Sequence, residues 1–212
     1  MKNKLSQYKT WILDFDGTLY HQLPLRICMA MMLIIYYIIR PFRINEVFII
    51  RDYRRLREQL FATNSKDFHQ QQLQFLSNKY KMPVDEIKQL IHLWLIEKPL
   101  PLIKMWQRKK LLSTIKNYQA QGVQMFVYSD NPVDEKIAAL DFLPNKTFCS
   151  DDDIIHCMKP DSTGLKNILK SYNLNPREVL YIGDRDDRDK LCAEDAGVDY
   201  CDVSDFEQNF CN

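Results

Sequence analysis

Three short apolar runs, at residues 11–15, 123–128 and 179–182, each lead into polar residues able to do chemistry. Such runs suit strands covered on both faces, as in a parallel sheet. Residues 147–149 form a weaker fourth run, and "VDYCDV" at 198–203 a fifth. Helical patterns at 108–121, 133–140, 162–172 and 187–196 separate most of them. Strands alternating with helices imply βαβ units, so the fold class is α/β with a parallel sheet.

Residues 20–103 break that alternation. They contain no convincing strand and predict helices at about 25–39, 44–61, 65–80 and 84–96, punctuated by Pro41, Pro83, Pro99 and Pro101. The expected organisation is a core of residues 1–19 and 104–212, with an all-helical insertion at 20–103 following the first strand. Within it, "CMAMMLIIYYII" at 28–39 is uninterrupted by polar residues and is bounded by Arg26, Arg40 and Pro41. A spanning helix needs about 20 apolar residues, so this run predicts a buried or interfacial helix instead. Arg40, Arg43, Arg51, Arg54, Arg55 and Arg57 follow it. The expectation is a packed helical core with a solvated basic face. Contact with an anionic membrane or a lipid phosphate is the alternative and is not favoured.

Lys+Arg 29 against Asp+Glu 28 makes no case for a nucleic-acid partner, and none is expected. The six cysteines include no CxxC pair, and Cys149, His156 and Cys157 match no zinc spacing. The chain shows no secretory leader, and reduced thiols in a cytoplasmic protein are expected.

The ends of the runs carry four short motifs. They are "DFDGT" at 14–18, "VYSDN" at 127–131, Lys159 before Pro160, and "GDRDDRD" at 183–189. In their order and compatible spacing they resemble the motifs of the haloacid dehalogenase-like superfamily, over residues 10–20 and about 104–203. The resemblance implies a Rossmann-like core. The insertion resembles the helical cap of that superfamily's first subclass.

The residues fit a phosphoryl-transfer chemistry on their own terms. Asp14 is the candidate nucleophile on phosphorus, giving an aspartyl-phosphate. Asp16 is the candidate general acid for the leaving alcohol and then base for the resolving water. Lys159 supplies fixed positive charge. Gly17, Thr18, Ser129 and Asp130 lie at helix-leading turns where backbone N–H groups and a hydroxyl can cradle phosphate. Clustered carboxylates require a cation, and Mg²⁺ suits oxygen ligands. Asp14, the Asp16 carbonyl and Asp184 are the candidate ligands. Asp189 is preferred over Asp187 as the outer acidic residue.

The expected activity is Mg²⁺-dependent hydrolysis of a small phosphate monoester. A phosphomutase on the same core and a non-catalytic phosphate-binding protein are the alternatives. A dehalogenase is disfavoured, because it has no use for Asp16 or a metal site.

Overall fold

The computed structural model describes residues 5–61 and 68–211. The chain divides into two compact units, Met1–Gln22 with Ile103–Asn212, and Leu23–Leu102.

In the first unit five strands form one parallel sheet: β1 (Thr10–Leu13), β2 (Gln124–Ser129), β3 (Lys146–Cys149), β4 (Val179–Gly183) and β5 (Asp199–Asp202). Their spatial order is β3-β2-β1-β4-β5, a Rossmann-like α/β arrangement. The central strand β1 pairs with both β2 and β4, Leu13 lying opposite Val127 and Ile182. The order reverses between β1 and β4. In open parallel sheets ligands bind beyond the carboxyl ends of the strands at such a reversal.

Every residue of β1 and β4 is buried, which explains why these strands read as continuous apolar runs rather than alternating ones. One face of the sheet carries a core of Ile12, Phe126, Tyr181, Leu165, Ile168 and Ala193, among others. Trp11 on the other face meets Tyr118 and Phe206 at ring centroid distances of 4.7 and 5.3 Å.

The second unit is helical. It contains α1 (Gln22–Ile39, whose first residue falls in the first unit), α2 (Asn45–Phe61), α3 (Phe68–Tyr80) and α4 (Val84–His92). A π-helical turn, Leu93–Glu97, extends α4, and α5 (Pro99–Met105) crosses the boundary back to the first unit. Its core gathers Tyr37, Ile49, Leu73, Leu76, Ile87 and Trp94. The predicted start of the third helix at 65–67 lies outside the described residues.

Three local expectations are corrected. Pro99 and Pro101 do not merely interrupt helices: they open α5, where a proline costs nothing because first-turn N–H groups have no intrahelical partner. The helix predicted at 133–140 shrinks to α7 (Asp134–Ile137); α6 (Lys109–Ala120) and α8 (Thr163–Ser171) lie near their predicted ranges. The pattern at 187–196 divides into a π-helical turn, Asp186–Lys190, and α9 (Leu191–Asp195). A last helix, α10 (Val203–Phe210), was not expected. Asp202 caps it, accepting the N–H groups of Ser204 and Asp205 at 2.7 and 3.4 Å.

The apolar run at 28–39, expected as a buried or interfacial helix with packing inside the helical core favoured, is mostly uncovered: within it only Tyr37 is buried, while Met31, Ile34, Ile35, Ile38 and Ile39 are exposed. Counted from Gln22, α1 is the one described helix long and apolar enough to cross a membrane.

Candidate active site

The chain leaves β1 at Leu13 and places Asp14 beyond its carboxyl end. The Asp14 N–H still donates to the Ile182 carbonyl at 2.9 Å, so the turn begins in register with β4. Asp14 is buried, and each of its oxygens has a partner. Lys159 Nζ approaches Oδ1 at 2.5 Å, and the buried Thr18 hydroxyl donates to Oδ2 at 3.1 Å. Burial pushes the Asp14 carboxyl well up, and neighbouring Asp189 adds to this while Lys159 opposes it.

Lys159 lies at the centre of the cluster. Its ammonium also meets Asp189 Oδ1 at 2.6 Å and the Tyr181 hydroxyl at 3.2 Å. Burial disfavours its charge, but Asp14, Tyr181 and Asp189 outweigh that and raise it well above an ordinary lysine. Its backbone N–H donates to Asp130 Oδ1 at 2.9 Å, so Asp130 positions the loop carrying the lysine. Arg188 donates to the other Asp130 oxygen at 3.2 Å.

The fourth motif separates its acids. The π-helical turn carries Asp189 inward, 1% exposed, where Oδ2 accepts the Arg185 N–H at 3.2 Å. Asp187 instead pairs with the Arg185 guanidinium at 2.7 Å on the surface. Asp189, not Asp187, joins the cluster.

Asp14, Asp184 and Asp189 place carboxylate oxygens within 4.8 Å of one another. Among the described residues, Lys159 is the one ammonium paired with these acids. Asp184 Oδ1 is buried without a hydrogen-bond partner. Burial, with Asp189 beside it, raises the Asp184 carboxyl to about 6, against the partial opposition of Lys159. An orphaned buried carboxylate oxygen and uncompensated negative charge are what a hard divalent cation with oxygen ligands would satisfy. The residues fit such a cation.

Two glycines make room for this packing. A Cβ at Gly17, whose φ is +98°, would overlap Asp184 Oδ2, and one at Gly183 would overlap the Asp189 side chain. Gly17 otherwise presents its carbonyl to Arg108 at 3.3 Å.

Asp16 occupies a different setting. Tyr20 donates its hydroxyl to Oδ1 at 2.5 Å, and Asn131 adds a further hydrogen bond. Burial pushes its carboxyl up, but the charge of Lys136 and these two hydrogen bonds carry it below the ordinary value. Lys136 is itself buried, on α7. Ser129, at the end of β2 and 1% exposed, accepts the Asn131 N–H at 3.2 Å, which leaves its own proton to donate.

Asp14, Thr18, Lys159 and Asp189 thus converge in one buried cluster, with half-buried Asp184 at its edge. Asp130 borders it through the Lys159 N–H and Gly17 through its close approach to Asp184, while Asp16 and Ser129 are joined to each other through Asn131. Tyr20, Lys136, Tyr181 and Arg188 were not anticipated as contributors. Tyr20 follows "DFDGTL" directly, and that adjacency was its one available signal. No motif or spacing in the sequence marks Lys136 as a contributor, and Arg188 is an unremarked position within "GDRDDRD".

Cys149, His156 and Cys157 form no metal group among the described residues. The Cys149 thiol faces Asp152, and Cys157 accepts the Gly164 N–H. A 620 Å³ groove beside β3, lined in part by Asp134, Leu143, Phe148 and Tyr172, contains none of the clustered residues.

The family model for haloacid dehalogenase-like hydrolases matches residues 11–203 of the chain. Three solved structures share the fold at low identity. A 2-haloacid dehalogenase from Pseudomonas syringae pv. Tomato DC3000 is 16% identical, with a TM-score of 0.59 over 91% of this chain and 85% of its own. A protein described as a predicted phosphoglycolate phosphatase, from Haemophilus somnus 129pt, is 17% identical, with a TM-score of 0.51 over 92% and 84%. A haloacid dehalogenase-like hydrolase from Bacillus subtilis, bound to magnesium, is 15% identical, with a TM-score of 0.54 over 92% and 86%. No curated protein matches the sequence.

Proposed function

The chain belongs to the haloacid dehalogenase-like hydrolases and is therefore an enzyme, and from that premise we propose that it is a phosphatase acting on a small phosphate monoester with Mg²⁺. The observation that carries this reading is the second acid. Asp16 stands two residues after the candidate nucleophile, gripped by Tyr20 and Asn131 beside Lys136. Halide leaves carbon without a proton, so a dehalogenase would have no use for a carboxyl held in this way.

Asp14 attacks phosphorus, and the bond from phosphorus to the ester oxygen breaks. Asp16, whose partners favour its carboxylate, takes up a proton as the anionic phosphoryl group arrives beside it and passes that proton to the departing oxygen. Water then attacks the aspartyl-phosphate and loses a proton to Asp16, and the bond from Asp14 to phosphorus breaks to release inorganic phosphate. Thr18 and Lys159 orient the Asp14 carboxylate throughout. Ser129 and the N–H groups of the turn after β1 receive the phosphoryl oxygens. Asp14 and Asp184, with the Asp16 carbonyl and with Asp189 behind them, would hold Mg²⁺, which supplies positive charge to the transferring group.

The test is phosphate release from an aryl phosphate, run beside chloride release from a 2-chloroalkanoate. Phosphate release that needs Mg²⁺ and is lost in Asp14→Asn supports the reading. Chloride release without phosphate release, or phosphate release within tenfold of wild type in Asp14→Asn, overturns it.

A further inference from the structure

Both faces of α1 are apolar, but its own unit covers only one. Met29, Met32, Leu33, Tyr36 and Tyr37 pack on the core around Trp94. Leu23, Ile27, Met31, Ile34, Ile35 and Ile38 are each more than half exposed. Their spacing by three or four residues sets them in one row along the helix. Phe42, just past its end, is 99% exposed. Single exposed apolar residues are unremarkable, but a contiguous row of this length marks a surface that something covers.

The charge around the row narrows what that is. Residues 22–57 contain seven arginines against two carboxylates, Glu46 and Asp52. Both carboxylates are buried and engaged, Glu46 by Arg43 and Tyr37, Asp52 by Arg51, Lys79 and Tyr80. Beyond the arginines in those ion pairs, Arg26, Arg40, Arg54 and Arg55 are exposed, and the described side chains of this stretch expose no carboxylate, so its surface carries net positive charge. On α2, Arg51, Arg54 and Arg55 rim a 410 Å³ cavity floored by Leu33, Val47 and Ile50.

An apolar row with a basic border fits a partner that is hydrocarbon at depth and anionic at its surface. A second copy fits poorly, because it would bring two basic borders together. We propose that the α1–α2 face docks on an anionic lipid bilayer. The row on α1 lies in the outer acyl layer, Phe42 sits at headgroup level, and the arginines meet lipid phosphates.

The helix lies on the bilayer and does not cross it. β1 precedes the insertion and β2 follows it, and the two strands pair in one sheet, so the chain leaves and returns on the same side. A crossing by α1 would require a second crossing to come back, and no other described helix is long and apolar enough for one. The docking rests on this surface alone and stands or falls separately from the phosphatase reading.

The test is co-sedimentation of the full chain with vesicles of phosphatidylcholine, with and without phosphatidylglycerol. The protein should pellet with the anionic vesicles and stay in solution with the neutral ones. Arg54→Glu with Arg55→Glu should weaken partitioning by roughly 30-fold. Ile34→Glu with Ile38→Glu should abolish it, while melting temperature and aryl phosphate turnover stay at the wild-type values. Should that pair not fold, Ile35→Ser with Ile38→Ser tests the same row. The proposal is overturned if the wild type ignores anionic vesicles at low salt, or if both sets of folded variants bind like wild type. It is equally overturned if the wild type dimerises or pellets without vesicles and the apolar variants abolish that, because the row then belongs to a second copy.

Discussion

Tyr20 donates its hydroxyl to Asp16 Oδ1 at 2.5 Å across four residues of the turn that leaves β1. The phenol is most of the way buried, and burial with the adjacent Asp16 charge raises it far above an ordinary tyrosine, so it remains a donor at every working pH. It aims the carboxyl that must reach the leaving oxygen. Tyr20→Phe keeps the ring packed against Phe15 and removes only the donor. Without that donor the carboxyl is no longer aimed at the leaving oxygen, and misplacing a general acid should lower kcat on an alkyl phosphate by about tenfold or more. An aryl phosphate, whose leaving oxygen needs little proton transfer, should lose much less. Equal losses on both substrates would show that Tyr20 does not act through Asp16.

Lys159 is the counter-charge of two buried acids, and removing it should be costly for the fold as well as the reaction. Lys159→Met leaves Asp14 and Asp189 facing each other without an ammonium. Breaking a buried pair in this way costs about 3–5 kcal/mol. Adding Asp189→Asn should recover much of the melting temperature while turnover stays at background. Activity in the double variant would remove Lys159 from the mechanism.

Chelation should act through Asp184 and follow pH. Its folded carboxyl is raised to about 6 from the ordinary aspartate value of 3.8. A raised folded value means that the metal-free protein binds the proton more tightly than the unfolded chain. That stability is fully present below about pH 4 and is lost as pH rises through 6. Solvent screening of this partly exposed group reduces the loss to the order of 1 kcal/mol. Mg²⁺ replaces the proton, so the gap in melting temperature between Mg²⁺ and EDTA should open between pH 4 and 6 and level off above. A gap that does not vary over that window would argue against a cation at Asp184. EDTA should also remove turnover, with Mg²⁺ restoring it and Ca²⁺ restoring it poorly, because its larger, looser coordination sphere misplaces nucleophile and phosphorus.

Gly17→Ala should damage the site by displacing Asp184, whose Oδ2 a Cβ would overlap. Its φ of +98° adds a backbone cost of about 1–2 kcal/mol. Gly122→Ala isolates that second effect, since Gly122 has a φ of +97° with open space around it. Both should lower the melting temperature, but only Gly17→Ala should lose turnover and the stabilisation by Mg²⁺. Normal Mg²⁺ response in Gly17→Ala would place the cation away from Asp184.

The parallel sheet was legible in the chain because its strands are covered on both faces, and burial on both sides writes itself as unbroken apolar residues in 125–128 and 179–182. Asp14, Asp16, Ser129 and Asp184 were legible because each falls within three residues of the end of such a run, where a parallel sheet gathers its ligand groups. Lys159 follows no strand directly, and only its order among the motifs marked it. What the chain could not show is which way a side chain points once a turn departs from regular geometry. Asp187 and Asp189 are indistinguishable as residues. The π-helical turn sends one to Arg185 on the surface and the other to Lys159 in the interior. Lys136 and Tyr20 reach Asp16 through packing that no spacing rule describes. For α1, composition established an apolar helix, but whether both of its faces are covered depends on how many neighbours pack against it. That number belongs to the tertiary structure, because a helix's hydrophobicity is local while its burial is a property of everything around it.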